Sequence, residues 1–156
     1  MANAKFNREI ISQVTESLFI GSYEAATDSV MLKFLLIDSI ISLDIQEPIL
    51  DRTFQHKFIN ISDESSSNIL KVLPEAMDFL DGKGRCLVHC RHGVSRSAAI
   101  VIAYLMRKDN IDYFKAFEIL RLMRPECQPN DGFVSQLILF RFAFFKKEVG
   151  KVHLKN

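Results

Sequence analysis

The chain has 156 residues, 48% of them hydrophobic and 25% charged, so it can bury a core and has the balance of a soluble globular domain. Its formal net charge of +1 gives no global field for nucleic acid or an acidic membrane surface. Three cysteines, at positions 86, 90 and 127, are an odd number at irregular spacing, which favours a reducing compartment over a disulfide framework.

The location predicted from the sequence is the cytoplasm, the nucleus or both. The longest apolar stretches have about ten residues, too few to span a bilayer. The first nine residues are polar and lack the apolar core of a signal peptide. No membrane association and no Cys-Cys-His-His metal site are expected.

Hydrophobic periodicity predicts a series of short elements in the first part of the chain. They are a strand at 18–20 ending at Gly21, a short helix at 30–36 capped by Asp28 or Ser29, and strands at 39–43 and 56–59. The spacing of apolar residues over 68–81 predicts an amphipathic helix, which begins or bends at Pro74 and ends at the glycines 82 and 84.

Further elements alternate with these. A strand is predicted at 85–89, then a helix over 97–108 that is apolar on nearly all sides and therefore buried. Asp112 is expected to cap a helix over 113–123, and Asn130 a last helix that runs to about Phe145. This order predicts an α/β fold in a single domain, a central short-stranded sheet flanked by helices, with a core over about 14–145 and a basic tail at 146–156.

The segment 89–97 (His-Cys-Arg-His-Gly-Val-Ser-Arg-Ser) carries the chemistry, because it joins an apolar strand to a buried helix. Backbone N–H groups of such a loop and the helix N-terminus together bind anions. Gly93 allows a tight turn, and Arg96 can bind two phosphate oxygens at once. Such surroundings lower the pKa of a cysteine thiol, which makes Cys90 a candidate nucleophile rather than a structural core cysteine.

The pattern His89-Cys90-x₅-Arg96-Ser97 resembles the signature of the protein tyrosine phosphatase superfamily. The continuation to Ala98 resembles its dual-specificity branch, as do four other segments: 18–26, 103–106, 124–125 and 129–137. The resemblance covers about residues 14–145 and implies a protein-tyrosine-phosphatase-like fold. It also implies a small, atypical dual-specificity phosphatase, a hydrolase that acts through a phosphocysteine intermediate.

The resemblance carries further residue roles onto this chain. The phosphate-binding residues would be Arg91, His92, Gly93, Val94, Ser95 and Arg96. Ser97 would donate a hydrogen bond to the Cys90 thiolate, His89 would order the loop, and Asn130 would brace it as well as cap its helix. His92 stands where these enzymes usually carry alanine, which is either drift at an exposed position or a sign of a more anionic substrate or of pH sensitivity.

The leaving group needs a proton, and a carboxylic acid on a mobile loop is the natural donor. Asp63 follows the strand at 56–59 among polar serines, 27 residues before Cys90, and its position resembles that of the family's general acid. A helix-capping role for Asp63 remains open, and Glu64 and Asp44 are weaker candidates for the acid. Cys86 is either a core residue or a redox partner of Cys90.

The expected substrate is a phosphorylated protein, such as a kinase, carrying phosphotyrosine or phosphoserine/phosphothreonine; no cofactor, metal or nucleic acid is expected. Two alternatives stay open. One is the same chemistry on RNA 5′-triphosphate or a phosphoinositide, because the His-Cys-x-His-Gly fragment also occurs in RNA triphosphatases of the superfamily. Against it stand residues 95–98, Ser-Arg-Ser-Ala where those enzymes usually have Asn-Arg-Thr-Gly. The other is a non-catalytic phospho-binding module, although such proteins typically lose the cysteine or the arginine.

Overall fold

The computed structural model describes residues 7–140, in which five strands form a single sheet. The strands are β1 (Ile11–Gln13), β2 (Leu18–Gly21), β3 (Ser39–Asp44), β4 (Gln55–Asn60) and β5 (Cys86–His89). The helices are α1 (Tyr23–Thr27), α2 (Ser29–Phe34), α3 (Ile69–Asp81), α4 (Arg96–Asp109) and α5 (Tyr113–Met123), and residues 131–140 are also helical. The predicted tail at 146–156 and the predicted end of the last helix lie outside the described residues.

The strand order β1-β2-β5-β3-β4 places β5 at the centre of the sheet. β2, β5, β3 and β4 run parallel, with Leu18 and Ser39 both in register with Cys86, and β1 is antiparallel to β2. The carboxyl ends of the four parallel strands therefore meet at one edge, where α/β proteins form their binding sites. The loop after β5 carries Cys90, and the loop after β4 carries Asp63.

Helices cover both faces of the sheet, which confirms the predicted α/β class. Ile40, Phe54 and Leu87 belong to the apolar cluster on the side of α1 and α2. The larger cluster on the other side includes Ile41 and Val88 and takes in residues of α3, α4 and α5. Neighbouring residues of one strand thus face different clusters, as the pleat of a strand requires.

Most of the predicted elements are confirmed. α5 has the predicted bounds and the predicted cap, Asp112, whose side chain accepts a hydrogen bond from Lys115 N. α4 is one residue longer at each end than predicted, and it begins at Arg96. Of the two alternatives predicted for Pro74, the one in which the helix begins there is wrong, because α3 starts at Ile69 under an Asn68 cap and continues through the proline. Pro74 is exposed, so the carbonyl that loses its helical N–H partner lies on the accessible side.

β1 was not predicted. It has three residues, too few for the alternation of apolar and polar side chains to stand out. Among residues 7–140, no helix is both long enough and apolar enough to cross a membrane.

Candidate active site

The loop at residues 90–96, here the phosphate loop, joins β5 to α4, and the backbone carbonyl groups of residues 90–95 point outward. Each carbonyl from residue 90 to residue 95 accepts a hydrogen bond from a group other than the loop amides. The distances are 3.2 Å from His89 Nδ1 to Cys90 O, 3.1 Å from Tyr23 N to Arg91 O, 3.3 Å from Arg124 Nη2 to His92 O, 2.9 Å from Arg124 Nε to Gly93 O, 2.8 Å from Gln128 N to Val94 O and 2.9 Å from Ala99 N to Ser95 O.

This arrangement fixes the direction of the loop amides. A trans peptide directs its C=O and its N–H to opposite sides, and residues 7–140 contain no cis peptide bond. The N–H groups of residues 91–96 therefore point to the side opposite these six acceptors, toward the inside of the loop. Six such donors at the N-terminus of α4 form a cradle for an oxyanion.

Gly93 has the backbone conformation that was expected of it, with φ of 67°. A Cβ atom at this position would also lie 2.7 Å from the carbonyl carbon and oxygen of Gly21. The turn of the loop and its close approach to the end of β2 therefore both require glycine.

Cys90, the first residue of the phosphate loop, is buried, with 3% of its surface exposed. Its Sγ is 3.1 Å from Ser97 Oγ, within hydrogen-bond distance for sulfur. Ser97 is the second residue of α4 and is fully buried, and the N-cap position belongs to Ser95. Ser97 therefore faces the sulfur instead of capping its helix.

Arg96 is 8% exposed, and one side of its guanidinium is held in place. Nη1 donates to Asp44 Oδ1 at 3.3 Å and to the Ile61 carbonyl at 3.1 Å. Arg96 Nε is buried and has no hydrogen-bond partner among the described residues. A buried charged donor without a partner is a position where an anion would be stabilised.

Asp44 is a site residue that sequence reasoning considered only as a weak candidate acid. It ends β3 and is 5% exposed, and its two carboxylate oxygens accept from Arg96 and, at 3.3 Å, from Arg91 Nη2. The Ile45 amide donates to it as well, at 2.8 Å. Asp44 therefore holds two arginines at the edge of the sheet, and the only signal in the sequence was a carboxylate at the end of a buried strand.

Asp63 is exposed on the loop after β4 and is tied to the phosphate loop by one oxygen. Its Oδ1 accepts from Ser95 Oγ at 2.6 Å and from Asn130 Nδ2 at 2.9 Å. The backbone N–H of Asn130 in turn donates to Ser95 Oγ at 2.9 Å. The side-chain oxygen of Asn130 caps the helix at 131–140 by accepting from Phe133 N. Among the described residues, the Glu64 side chain has no hydrogen bond to the phosphate loop.

Residues 62–68, here the acid loop, rest on the same helix. A Cβ atom at Gly132 would lie 2.0 Å from the Ser65 carbonyl oxygen, so the two backbones are in close contact. Gln136 accepts from Ile69 N at 2.8 Å, and its amide donates to Ser67 O at 2.9 Å. The helix at 131–140 therefore sets the position of the loop that carries Asp63.

Arg124 is a second residue that sequence reasoning missed, since it was noted only as part of a family motif. Among the described residues it is the largest of the fully buried side chains, with 2% of its surface exposed. It donates to the carbonyl groups of His92 and Gly93 in the phosphate loop, and also to Ser12 Oγ at 3.2 Å. No pattern of spacing predicts which carbonyl groups a buried arginine will reach.

The other two cysteines are buried and free. Cys86 lies in the apolar cluster under α3 and α4, and burial raises the pKa of its thiol to about 12. Cys127 Sγ is 3.8 Å from the Gly93 carbonyl, and burial also raises its pKa to about 12. At neutral pH both are neutral thiols that fill space.

His89 is 1% exposed, and burial lowers its pKa to about 4, so the imidazole is neutral at neutral pH. Arg91 and His92 are exposed at the rim, as expected, and Val94 is partly buried. Arg91 also lines a groove of about 340 Å³ beside the phosphate loop, together with residues such as Tyr23, Glu47 and Ile49. Within residues 7–140, no three side chains of His, Cys, Asp or Glu come together to hold a metal ion.

Comparison with known proteins agrees with this geometry. The family model for the dual specificity phosphatase catalytic domain matches residues 18–142. Dual specificity protein phosphatase MPK-4 of Drosophila melanogaster is 41% identical over 139 residues, which cover 84% of this chain and 36% of that protein. Dual specificity protein phosphatase 1B of Arabidopsis thaliana is 36% identical over 135 residues, which cover 83% of this chain and 81% of that protein.

A solved structure is similar as well. The human tyrosine phosphatase-like serine/threonine/tyrosine-interacting protein superposes with a TM-score of 0.84 at 31% identity, covering 88% of this chain and 99% of that one. The chain therefore belongs to the family of dual specificity phosphatase catalytic domains. The resemblance drawn from residues 89–98 is thus confirmed. The chain spans about a third of the length of the Drosophila relative, 36%.

Proposed function

We propose that this domain hydrolyses phosphate monoesters of phosphotyrosine and of phosphoserine/phosphothreonine in proteins, through a cysteinyl-phosphate intermediate. The observation that carries the proposal is the phosphate loop itself. The carbonyl groups of residues 90–95 are held outward, so six amides face inward beside a buried Cys90 Sγ, and Arg96 Nε has no partner among residues 7–140. Such a site stabilises negative charge on the three non-bridging oxygens of a phosphoryl group.

In the first step, the Cys90 thiolate attacks phosphorus. An Sγ–P bond forms while the bond from phosphorus to the ester oxygen breaks. Asp63, as the acid, gives its proton to that oxygen, so the leaving group departs as a neutral alcohol or phenol. Asp63 Oδ1 accepts both observed hydrogen bonds, which leaves Oδ2 as the oxygen that carries the proton.

In the second step, a water molecule attacks the phosphocysteine. Asp63, now a carboxylate, takes a proton from the water, and the Sγ–P bond breaks to release inorganic phosphate. The leaving thiolate is stabilised by the Ser97 hydroxyl, which lies 3.1 Å from the sulfur. Each group used in these steps belongs to the chain, so we expect activity to persist in EDTA.

The proposed substrate class, a phosphorylated protein such as a kinase, rests on the family and on the shape of the rim. The names of the Drosophila and Arabidopsis relatives describe them as dual specificity protein phosphatases. The groove beside Arg91 has exposed apolar, acidic and basic groups, such as Ile49, Glu47 and Arg91, and is suited to a flanking peptide chain. A formal net charge of +1 offers little general attraction for RNA.

The test is phosphate release by wild type and Cys90→Ser in EDTA, with four substrates: phosphotyrosine peptide, phosphothreonine peptide, phosphoinositide and 5′-triphosphorylated RNA. Activity on both peptides that is lost in Cys90→Ser supports the proposal. Activity confined to the lipid or the RNA would assign the same chemistry to a different substrate. A folded wild type that binds phosphopeptide without releasing phosphate would be a binding module.

A further inference from the structure

A line of polar side chains runs from the protein surface to the backbone of Cys90. His89 Nδ1 is 3.2 Å from the Cys90 carbonyl, and His89 Nε2 is 2.5 Å from Ser42 Oγ. Ser42 Oγ is in turn 2.8 Å from His56 Nε2. His56 Nδ1 lies 3.9 Å from a carboxylate oxygen of Glu47, which is 63% exposed.

The sheet dictates this alignment. Ser42 on β3 is in register with His89 on β5, and His56 on β4 is in register with Ile40, two residues before Ser42 on the same face. Ser42 is fully buried, and the His56 side chain is 20% exposed. Polar groups at this depth need hydrogen-bond partners, so each bond of the line constrains the next.

The direction of each hydrogen bond follows from the available protons. A carbonyl only accepts, so His89 carries its proton on Nδ1, and its neutral ring then presents Nε2 as an acceptor. Ser42 has one hydroxyl proton and gives it to His89 Nε2. The Ser42 oxygen can therefore accept, and His56 must donate to it through Nε2–H.

The other ring nitrogen of His56, Nδ1, faces a second acceptor, the Glu47 carboxylate. A neutral ring with its proton on Nε2 turns a lone pair on Nδ1 toward the Glu47 carboxylate, which is also an acceptor. With the proton on Nδ1 instead, Nε2 would compete with His89 for the single Ser42 proton. The imidazolium form keeps the Nε2–H donor to Ser42 and adds a charge that the Glu47 carboxylate attracts at 3.9 Å, so protonation of His56 strengthens both ends of its contact with the line.

We propose that His56 is a positioning residue of the phosphate loop, which acts through Ser42 and His89 on the peptide group between Cys90 and Arg91. That peptide holds its C=O outward toward His89 and its N–H inward, as the first donor of the anion cradle. The protonation state of His56 therefore changes how firmly the nucleophile and this amide are held. The inference rests on the proposed function, since the loop is taken as the catalytic one.

The charged surroundings set the direction of the effect. Burial lowers the pKa of His56 below its usual 6.5, and Glu47 opposes that shift. Asp44 and Arg96 act on the inner histidine, His89, with opposite signs. The next residue of β4, Lys57, pairs with Glu75 of α3 at 2.9 Å. Protonation of His56 should therefore occur in a window below pH 6.5.

The experiment measures two quantities over about pH 4.5 to 8: kcat/KM for an aryl phosphate and the rate of Cys90 alkylation by iodoacetate. His56→Gln keeps an N–H donor for Ser42 but does not titrate. His56→Leu removes the donor, and Ser42→Ala breaks the line while leaving His56 in place. Glu47→Gln removes the carboxylate, and His92→Gln removes the titratable ring at the rim. Far-UV circular dichroism checks that each variant is folded.

Because iodoacetate reacts with the thiolate, ionisation of Cys90 itself shapes the alkylation profile of every variant. Wild type should show a second inflection below pH 6.5. We expect His56→Gln and Ser42→Ala to lose this second inflection, Glu47→Gln to move it to lower pH, and His92→Gln to keep it. His56→Leu should lower the alkylation rate by about tenfold, because it leaves the buried Ser42 oxygen without its donor, and His56→Gln should restore the rate. Should His56→Leu fail to fold, the pH profile of Ser42→Ala decides whether His56 acts on the loop through Ser42.

Superimposable profiles of wild type, His56→Gln and Ser42→Ala would overturn the proposal, as would an inflection that disappears in His92→Gln instead. The alkylation profile does not depend on turnover. An inactive wild type would therefore refute the proposed phosphatase function, and the pH dependence of Cys90 would still decide whether His56 positions the loop.

Discussion

At the scale of single residues, Asp63 is distinguished from Glu64 by what holds it. The two carboxylates are neighbours in the chain and both are exposed. Asp63 is bonded to Ser95 of the phosphate loop and to Asn130, whereas the Glu64 side chain has no such bond among the described residues. A general acid must be held close to the leaving oxygen, which favours Asp63.

We predict that Asp63→Asn, which keeps an acceptor oxygen for Ser95 and Asn130, lowers kcat for an alkyl phosphate by about 10²- to 10⁴-fold. With a good leaving group the loss should be much smaller, because a stable phenolate departs without a proton. Turnover of the two ester types by wild type, Asp63→Asn and Glu64→Ala measures this. An equal loss with both esters, or a leaving-group dependence in Glu64→Ala, would remove Asp63 from the acid role.

Residue-level prediction from the sequence is possible where the site depends on local order. Cys90, Gly93, Arg96 and Ser97 follow one another between a strand and a helix, so their surroundings could be inferred from the chain itself. Asp44 and Arg124 could not be found in this way. Their partners are 52 and 31 residues away in sequence, and only the packed sheet brings them together.

At the scale of elements, the acid loop and the helix at 131–140 form one unit. Asn130, Gly132 and Gln136 lie on the side of the helix that contacts this loop. Gln136 supplies an acceptor to the first amide of α3, Ile69 N, and a donor to Ser67 O. The position of Asp63 therefore depends on a segment that follows it by about 70 residues in the chain.

Gly132→Ala should displace the acid loop. The new Cβ would meet backbone atoms of Ser65 at 2.0 to 2.6 Å, and backbone cannot yield as a flexible side chain does. We expect a stability loss of about 1–3 kcal/mol and a fall in kcat that is larger for the poorer leaving group. Chemical denaturation and steady-state kinetics measure the two effects.

Gly82→Ala is the matched control. At that position the nearest atoms to a new Cβ are 3.9 Å away, an ordinary contact, so activity should be unchanged. Equal behaviour of the two variants would show that the contact between Gly132 and Ser65 does not position the acid loop.

Hydrophobic periodicity is sufficient to predict the long helices but not the shortest strand. α3 and α5 have long apolar stripes, and α5 begins at the residue after its predicted cap, Asp112. Among residues 7–140, β1 pairs only with β2 and has three residues, so its place in the sheet depends on the partner strand. The helix continues through Pro74 because the contacts of its buried face outweigh one lost hydrogen bond.

At the scale of the whole molecule, burying His89 in the sheet makes folding depend on pH. The folded protein holds this ring neutral with a pKa of about 4, against 6.5 for an unperturbed histidine. Between these values the unfolded chain binds more protons than the folded one. Stability is therefore retained above pH 6.5 and is lost as the pH falls toward 4.

His89 alone should lower the free energy of unfolding by about 3 kcal/mol between neutral pH and pH 4. Urea denaturation of wild type and His89→Asn at a series of pH values gives the free energy of unfolding of each protein. The contribution of His89 is the difference between the slopes of that free energy against pH. The asparagine keeps an N–H donor for the Cys90 carbonyl but does not titrate. Parallel pH dependences of the two proteins would contradict the burial argument.

The sheet brings the remaining parts together, because the ends of β3, β4 and β5 deliver Asp44, the acid loop and the phosphate loop to one edge. We propose that Cys90 at this edge becomes phosphorylated during turnover. Ser97→Ala should slow release of the thiolate, so the intermediate should accumulate in that variant.

The most direct measurement is to quench Ser97→Ala with acid during turnover of a labelled phosphopeptide and to locate the label by mass spectrometry. Trypsin should release residues 86–91, which contain both Cys86 and Cys90, and fragmentation tells the two apart. We predict phosphate on Cys90 and none in a Cys90→Ser, Ser97→Ala double variant. Turnover without label on Cys90, or label on another residue, would contradict it.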